Sequence, residues 1–214
     1  MNDLHYTVLK EDFLKPDLLF KIILIGPSYS GKSCLLLREI KYQFRDDYEV
    51  TIGAEFGSLF LRIENKIVKV QIWDTTGSEA YKSVTKIFFK GANAAFLIYD
   101  ITSEESFKGA KEWLDELRFN SDTNTKIYLI GNKSDLNEER KISMERGQQF
   151  VNDEKLAGFF ETSAKTGDNV HLVFIHTILN LYKENSQKMM KQKSVDNPTQ
   201  LNPNLEPKPS NCPC

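Results

Sequence analysis

Residues 26–33 read GPSYSGKS, and they stand between two stretches of different period. Ahead of them, LLFKIILIG (18–26) is a short, strongly apolar run ending in glycine, as a buried strand does. Behind them, GKSCLLLREIKYQF (31–44) spaces Leu35, Leu36, Ile40 and Phe44 as one face of a helix. The junction fits G-x-x-x-x-G-K-[ST]. Glycines let backbone N–H groups curl around an anion, and the helix start adds partial positive charge. Lys32 reaches outer phosphates as a point charge, and the Ser33 hydroxyl can ligate Mg²⁺. The plainer alternative is a glycine turn before a helix. At average composition a chance match in a chain of this length is about a one-in-a-hundred event. The motif by itself says only that phosphates are held; ATPases and small-molecule kinases share it.

Working outward, GSLFLRIENKIVKVQIW (57–73) predicts two strands joined by a tight turn near Asn65. Further strands are predicted at 94–100, 126–132 and 158–164. Helical spacing falls at 106–117, after a start signal at Ser103, and again at 142–153 and 170–184. Strands alternating with helices predict an α/β fold. The sheet is expected to be mostly parallel and six-stranded, with one antiparallel edge strand and helices on both faces. The 214 residues suffice for one domain and a tail. Residues 1–18 are read as an N-terminal extension and 19–185 as the domain. Residues 186–214 carry five of the seven prolines and no apolar period, so a disordered tail is expected there.

A net charge of −2 argues against a bulk electrostatic grip on nucleic acid. No apolar run reaches the ~20 residues of a membrane span. The N-terminus lacks the basic start and apolar core of a signal peptide. Three cysteines, one at 34 and two at 212 and 214, suggest no disulfide framework, which favours a reducing, cytosolic setting.

Two further stretches sit at strand ends, where open α/β sheets bind ligands. NKSD (132–135) follows the strand KIYLIG. An aspartate two residues beyond Asn132-Lys133 can accept the ring N1–H and exocyclic amine of guanine. Adenine offers an acceptor instead, so a fixed Asp135 carboxylate rejects it. The Lys133 stem can cover the base face. Alone, NKSD reads equally well as a polar turn. In ETSAK (161–165), the Ala164 amide could meet the guanine O6 while Ser163 and Lys165 brace the loop. Finally, WDTTGSEAY (73–81) ends an alternating strand on an aspartate and sets Gly77 where backbone must come close to something.

With GPSYSGKS, TIG, DTTG, NKSD and ETSAK in this order, the chain resembles the Ras superfamily of small GTPases over about 20–185. Within it, TIGAEF (51–56), KVQIWDTTG (69–77), IFFKGA (87–92) and LIYDIT (97–102) resemble Rab proteins, with divergence. The resemblance implies the P-loop small-GTPase fold, GTP or GDP with Mg²⁺, and a monomeric switch. It implies that Lys32 and the amides of Ser28, Tyr29, Ser30, Gly31, Ser33 and Cys34 surround the phosphates. Ser33 and Thr51 would ligate Mg²⁺, Thr51 only in the GTP state, and Asp74 would hold it through water. The Gly77 amide would meet the γ-phosphate. Phe44 would pack across the guanine and Tyr48 would close over the phosphates, although spacing alone reads Phe44 as a core aromatic. Lys32, Thr51, Gly77 and position 78 would form the hydrolytic set. Loops at about 45–57 and 74–90 would be ordered by γ-phosphate and Mg²⁺ and released on hydrolysis. Phe56, Trp73 and one of Phe88 or Phe89 would form an apolar surface for effectors, against the plain alternative of a core tryptophan. The implied partners are exchange factors, GTPase-activating proteins, effectors and a Rab escort or GDI-type chaperone.

The departures concentrate at one end. The family's water-orienting glutamine is Ser78 here, about two bonds shorter and without an amide. Thr76 replaces the usual alanine, Tyr29 a usual small residue, and Pro27 stiffens the loop start; bulk at 29 can also point harmlessly to solvent. Weak intrinsic hydrolysis is expected. Cys212-Pro-Cys214 resembles the double geranylgeranylation site of Rab proteins, which implies anchoring to the cytosolic face of intracellular membranes. Unmodified or metal-binding cysteines are the alternative. Cys34 by spacing is a core residue, and His5, His171 and His176 form no convincing site. A constitutively GTP-loaded binding module and a P-loop kinase or ATPase are the rival readings.

Overall fold

The computed structural model describes residues 4–9, 15–45, 51, 54–78 and 82–195. Two units are distinguished, Met1–Leu181 and Tyr182–Cys214. The strands are β1 Tyr6–Leu9, β2 Leu18–Ile25, β3 Ala54–Ile63, β4 Lys66–Thr75, β5 Ala94–Asp100, β6 Lys126–Asn132 and β7 Gly158–Thr162. The helices are α1 Lys32–Lys41, α2 Lys82–Phe89, α3 Glu104–Asn120, α4 Met144–Asp153 and α5 Val170–Val195, with a 3-10 helix at Ser134–Glu139. One seven-stranded sheet has the order β1-β3-β4-β2-β5-β6-β7. From β4 to β7 the neighbours run parallel. β3 is antiparallel to β4, and β1 is antiparallel to β3.

The expected architecture is present, with one strand more than expected. The addition comes from the N-terminal extension, where Tyr6 faces Ile63 and Leu9 faces Phe60. The backbone groups on the outer edge of β3 are satisfied by whatever strand reaches them, and β1 does so over its four residues. A second correction concerns 82–89, expected within a loop and found as α2. A third concerns the tail: α5 continues to Val195, past the boundary at 185. Residues 186–195 (SQKMMKQKSV) are rich in straight-chain helix formers and reach no proline before Pro198. Tyr48, Cys212 and Cys214 lie outside the described residues. No helix among the described residues is long and apolar enough to cross a membrane.

Strand parity sorts the layers. On β5, Ala95, Leu97 and Tyr99 join Ile23 and Ile25 of β2 in a core with Phe89 of α2, Phe107, Trp113 and Leu117 of α3 and Val151 of α4. The even positions face the other way, and Phe96 meets Phe174 of α5 at 4.9 Å. α1 lies on that second face as well, where Leu36 and Ile40 press on Gly57 of β3. Ser103 caps α3 by accepting the Ser106 amide at 3.1 Å, and Ser143 caps α4 by accepting that of Arg146 at 3.2 Å.

Glu39 of α1 is buried against α5, with its carboxylate 3.0 Å from His171 Nδ1. The two side chains are 2% and 44% exposed, so the histidine ring shields the acid from water. Burial raises the Glu39 pKa, and the neighbouring His171 opposes the rise. Removing the ring leaves a buried carboxylate short of a partner. His171→Ala is expected to cost about 1–3 kcal/mol of stability at neutral pH. A group whose pKa is raised by folding favours the fold below its unfolded pKa and loses that contribution as pH rises. Hence the double variant Glu39→Gln/His171→Ala should become progressively more stable than His171→Ala between pH 4.5 and 8, measured by urea denaturation.

Candidate functional site

The phosphate loop leaves β2 at Ile25 and becomes α1 at Lys32. Central position gives β2 its importance: β4 and β5 flank it on opposite sides, so chain connections diverge there and open a crevice at the strand ends. Gly31, at φ +90°, makes the turn into the helix. A Cβ there would lie 2.2 Å from Asn132 Nδ2. Lys32 folds back so that Nζ donates to the carbonyls of Gly26 at 2.9 Å and Pro27 at 2.8 Å. Its surroundings push the ammonium pKa down to about 8, chiefly by burial, with Asp74 opposing.

β4 delivers the next components. Thr75 Oγ1 donates to Leu24 O at 2.8 Å and fastens the end of β4 to β2. Asp74 is fully buried beside it. Ser33 Oγ donates to Asp74 Oδ2 at 2.5 Å and lies 2.9 Å from Thr51 Oγ1. Asp74 Oδ1 is buried and has no hydrogen-bond partner among the described residues. Burial raises the Asp74 pKa to about 6, against the Ser33 hydrogen bond and Lys32. Two hydroxyls and a carboxylate with an unmet oxygen are the hard donors that Mg²⁺ takes. These residues fit the ion, and a bound cation would further favour the charged carboxylate as a bound phosphate would further favour the charged Lys32. Gly77 follows; a Cβ on it would lie 2.4 Å from Lys32 Nζ and 2.5 Å from the Ser28 amide. Only bare backbone approaches the phosphate loop so closely.

The base side is stitched by Asn132. Its Nδ2 donates to Ser30 O at 2.9 Å, and its Oδ1 accepts from Thr162 Oγ1 at 3.3 Å and the Ala164 amide at 3.2 Å. Ser163 Oγ donates to Asp135 at 2.6 Å and accepts the Thr166 amide. Lys133, in the left-handed region at φ 68°, sets its ammonium 2.6 Å from Asp100.

A cavity of about 340 Å³ opens between the two sides, a size suited to a small-molecule ligand. Ser28, Tyr29, Gly31, Lys32, Ser33 and Cys34 border it at the phosphate end. Thr51, Thr76 and Gly77 close that end, and Asn132, Lys133, Asp135, Ala164 and Lys165 form the other. Phe44 and Cys34 are half-buried on its wall, which corrects the core positions that spacing suggested for them. Ser30, Asp74 and Ser163 do not border it; each is fully buried and braces a residue that does. Arg45 and Leu136 border it too, and the sequence carried no signal for either.

Ser78 does not face this cavity. It borders a second one, of about 710 Å³, between the phosphate loop and α3, shared with Tyr29, Gly77 and Glu112. Its amide donates to Thr76 Oγ1 at 3.2 Å. Among the aromatics, Trp73 is half-buried and stacks on Phe56 at 5.0 Å and Phe88 at 5.2 Å, with Phe56 49% exposed. Phe89 is 1% exposed in the core, so of the two candidates Phe88 joins the cluster and Phe89 does not.

A phosphate loop at a switch point, a hydroxyl–carboxylate pocket and a paired polar loop beyond it define a nucleotide-binding protein of the P-loop class. A sequence model of the Ras family matches residues 21–183, and the chain belongs to that family. It is a small GTPase switch, of a kind that takes guanine nucleotide and Mg²⁺ and works with exchange factors and GTPase-activating proteins.

Two loop positions with positive φ should respond oppositely to substitution. Tyr29 sits at φ 65°, which disfavours a side chain by about 1–2 kcal/mol. Tyr29→Gly is therefore expected to leave stability unchanged or raise it by up to about 1 kcal/mol, after the entropy of the unfolded glycine is counted. Gly31→Ala should destabilise by about 1–3 kcal/mol from the backbone alone, and more from the clash with Asn132. Thermal unfolding of the two variants checks both signs.

Proposed function

We propose that this small GTPase is a Rab-type switch of vesicle-mediated membrane traffic whose GTP-bound state is long-lived. The single observation behind the slow hydrolysis is Ser78. It borders the second cavity, its amide is taken by Thr76, and its side chain is too short to reach back as a glutamine would. The proposed roles follow the bordering atoms. Lys32 and the amides from Ser28 to Cys34 hold the phosphates. Ser33, Thr51 and Asp74 hold Mg²⁺, which when bound neutralises charge on the phosphate oxygens. Gly77 senses the γ-phosphate. Asp135 recognises guanine, with Ala164, Ser163 and Lys165 forming the facing loop. Phe44 and Tyr48 cover the base and phosphates. Thr51 and Gly77 act with Lys32 in what hydrolysis there is.

The traffic role is supported by the Rab-like stretches and by the exposed edge of the Phe56–Trp73–Phe88 stack, an effector surface. Cys212 and Cys214 are proposed to carry geranylgeranyl groups, delivered with an escort or GDI-type chaperone, and to hold the protein on the cytosolic face of membranes. Two chains anchor stably where one is marginal.

Single-turnover hydrolysis of bound GTP tests the central claim. The wild-type protein should hydrolyse slowly without a partner. A positioned group in proton-transfer chemistry contributes about 10²–10⁴-fold, and Ser78→Gln is expected to recover at least roughly tenfold of that. A wild-type rate equal to that of glutamine-bearing family members overturns the claim. Purification with GTP bound and no measurable turnover would favour the alternative, a constitutively loaded binding module.

A further inference from the structure

We propose that Arg38 is a positioning residue for base recognition, holding the Ala164–Lys165 loop in register with Lys32 through helix α1. The proposal rests on the assignment of 132–135 and 163–165 as the base site. Nε of Arg38 donates to Ala164 O at 2.8 Å, and Nη2 donates to Lys165 O at 2.5 Å. Nη1 donates to Tyr42 O at 3.1 Å. One planar guanidinium thus spans two consecutive carbonyls of the base loop and the residue that ends α1. Tyr42 stands at φ 56° in the left-handed region and directs the chain toward Phe44 on the cavity wall. The planar fork suits this task; a lysine has three donors on a mobile stem and can bridge the same carbonyls only in turn.

The helix supplies the ruler. Arg38 lies six residues after Lys32, about 9 Å along the axis at the α-helical rise. Lys32 is fixed at the phosphate end by the carbonyls of Gly26 and Pro27. Arg38 is fixed at the other end by Ala164 and Lys165. The distance between the phosphate-holding and base-facing loops is therefore set by a rigid element whose two ends are both hydrogen-bonded. Glu39, the next residue, holds the same helix against α5 through His171. Gly167, in the left-handed region at φ +93°, lies beside the stem of Arg38, whose Cδ would be in ordinary contact, 3.6 Å, with a Cβ there. The Ala164 amide sits between this anchor and the Asn132 carbonyl that accepts it. Loss of the anchor leaves the Ala164 and Lys165 carbonyls without this donor.

The experiment compares the full-length wild type with Arg38→Lys and Arg38→Ala. The probes are GDP and ADP, with affinity measured in Mg²⁺ and unfolding followed in parallel. ADP presents the same phosphates without the guanine edge, so it reports the phosphate end. The GDP-to-ADP affinity ratio is expected to fall by roughly tenfold or more in Arg38→Ala, about 1.4 kcal/mol per tenfold. Arg38→Lys is expected to lie between, with ADP binding unchanged in both. A ratio that stays at the wild-type value while the variants remain folded overturns the proposal, even if both lose stability. If Arg38→Ala fails to fold, Arg38→Lys decides in the same way. A wild-type protein that does not distinguish GDP from ADP would instead refute the base-site assignment itself.

Discussion

A lysine ammonium that is only 6% exposed lies at the centre of the site, and the loop around it must answer for its burial. An unpaired buried charge costs several kcal/mol. The loop turns its Gly26 and Pro27 carbonyls onto Nζ, and that inward turn needs a left-handed Gly31 at the helix start. Gly31 then lies so near Asn132 that the end of β6 is tied to the loop through Ser30 O. On the other side, the end of β4 can approach only because Gly77 has no side chain. One buried cation therefore fixes the spacing of β2, β4 and β6 at their carboxyl ends. The charges that remain awkward, Lys32 and Asp74, are each held toward neutrality by burial. An anion and a cation relieve these opposite penalties together, which is the physical reason that nucleotide and Mg²⁺ suit this crevice as a pair.

Much of this was legible in the sequence because each motif coincides with a change of period. GPSYSGKS marks the passage from strand to helix, and NKSD and ETSAK each mark the end of an apolar run. Local signals failed where tertiary partners decide. Nothing in YTVL at 6–9 announces that the edge of β3 lies within reach, so β1 is visible only in the fold. KSVTKIFF at 82–89 is helical, with Val84, Ile87, Phe88 and Phe89 apolar, yet the family resemblance implied a switch loop over 74–90. Phe88 and Phe89 are adjacent and chemically identical; the helix turns one toward Trp73 and the other into the core. Phe44 continues the apolar stripe of α1, but the helix ends at Lys41, which releases it to the cavity.

The bracing residues were the least legible. Arg38 and Glu39 read as the ordinary polar face of an amphipathic helix. Both are committed to contacts more than a hundred positions away, Arg38 with Ala164 and Glu39 with His171. No local pattern distinguishes them from Lys41, three residues after Arg38 and exposed. His171 carries no site signal in the sequence, and its partner is the buried acid Glu39.

The departures from the family pattern look unrelated along the chain, at 27, 29, 76 and 78. In space they are neighbours. Pro27, Tyr29 and Ser78 border the same cavity against α3, and Thr76 is bonded to the Ser78 amide. Pro27 also packs on Gly109 of α3, whose Cβ, if present, would lie 2.9 Å from the proline ring. Asn132, Lys133, Asp135 and the loop at 163–165 sit in a hydrogen-bonded and ion-paired frame. On the proposed reading the departures therefore gather at the γ-phosphate end, where binding and hydrolysis make separable demands. On that reading, holding phosphates requires backbone amides, Lys32 and Gly77, and these border the nucleotide cavity. On the reading proposed above, orienting a water requires a side chain of the right reach on the nucleotide cavity, whereas Ser78 borders the cavity against α3. Ser78 is thus one member of a wall it shares with Pro27 and Tyr29, and its proposed effect on hydrolysis is inseparable from theirs.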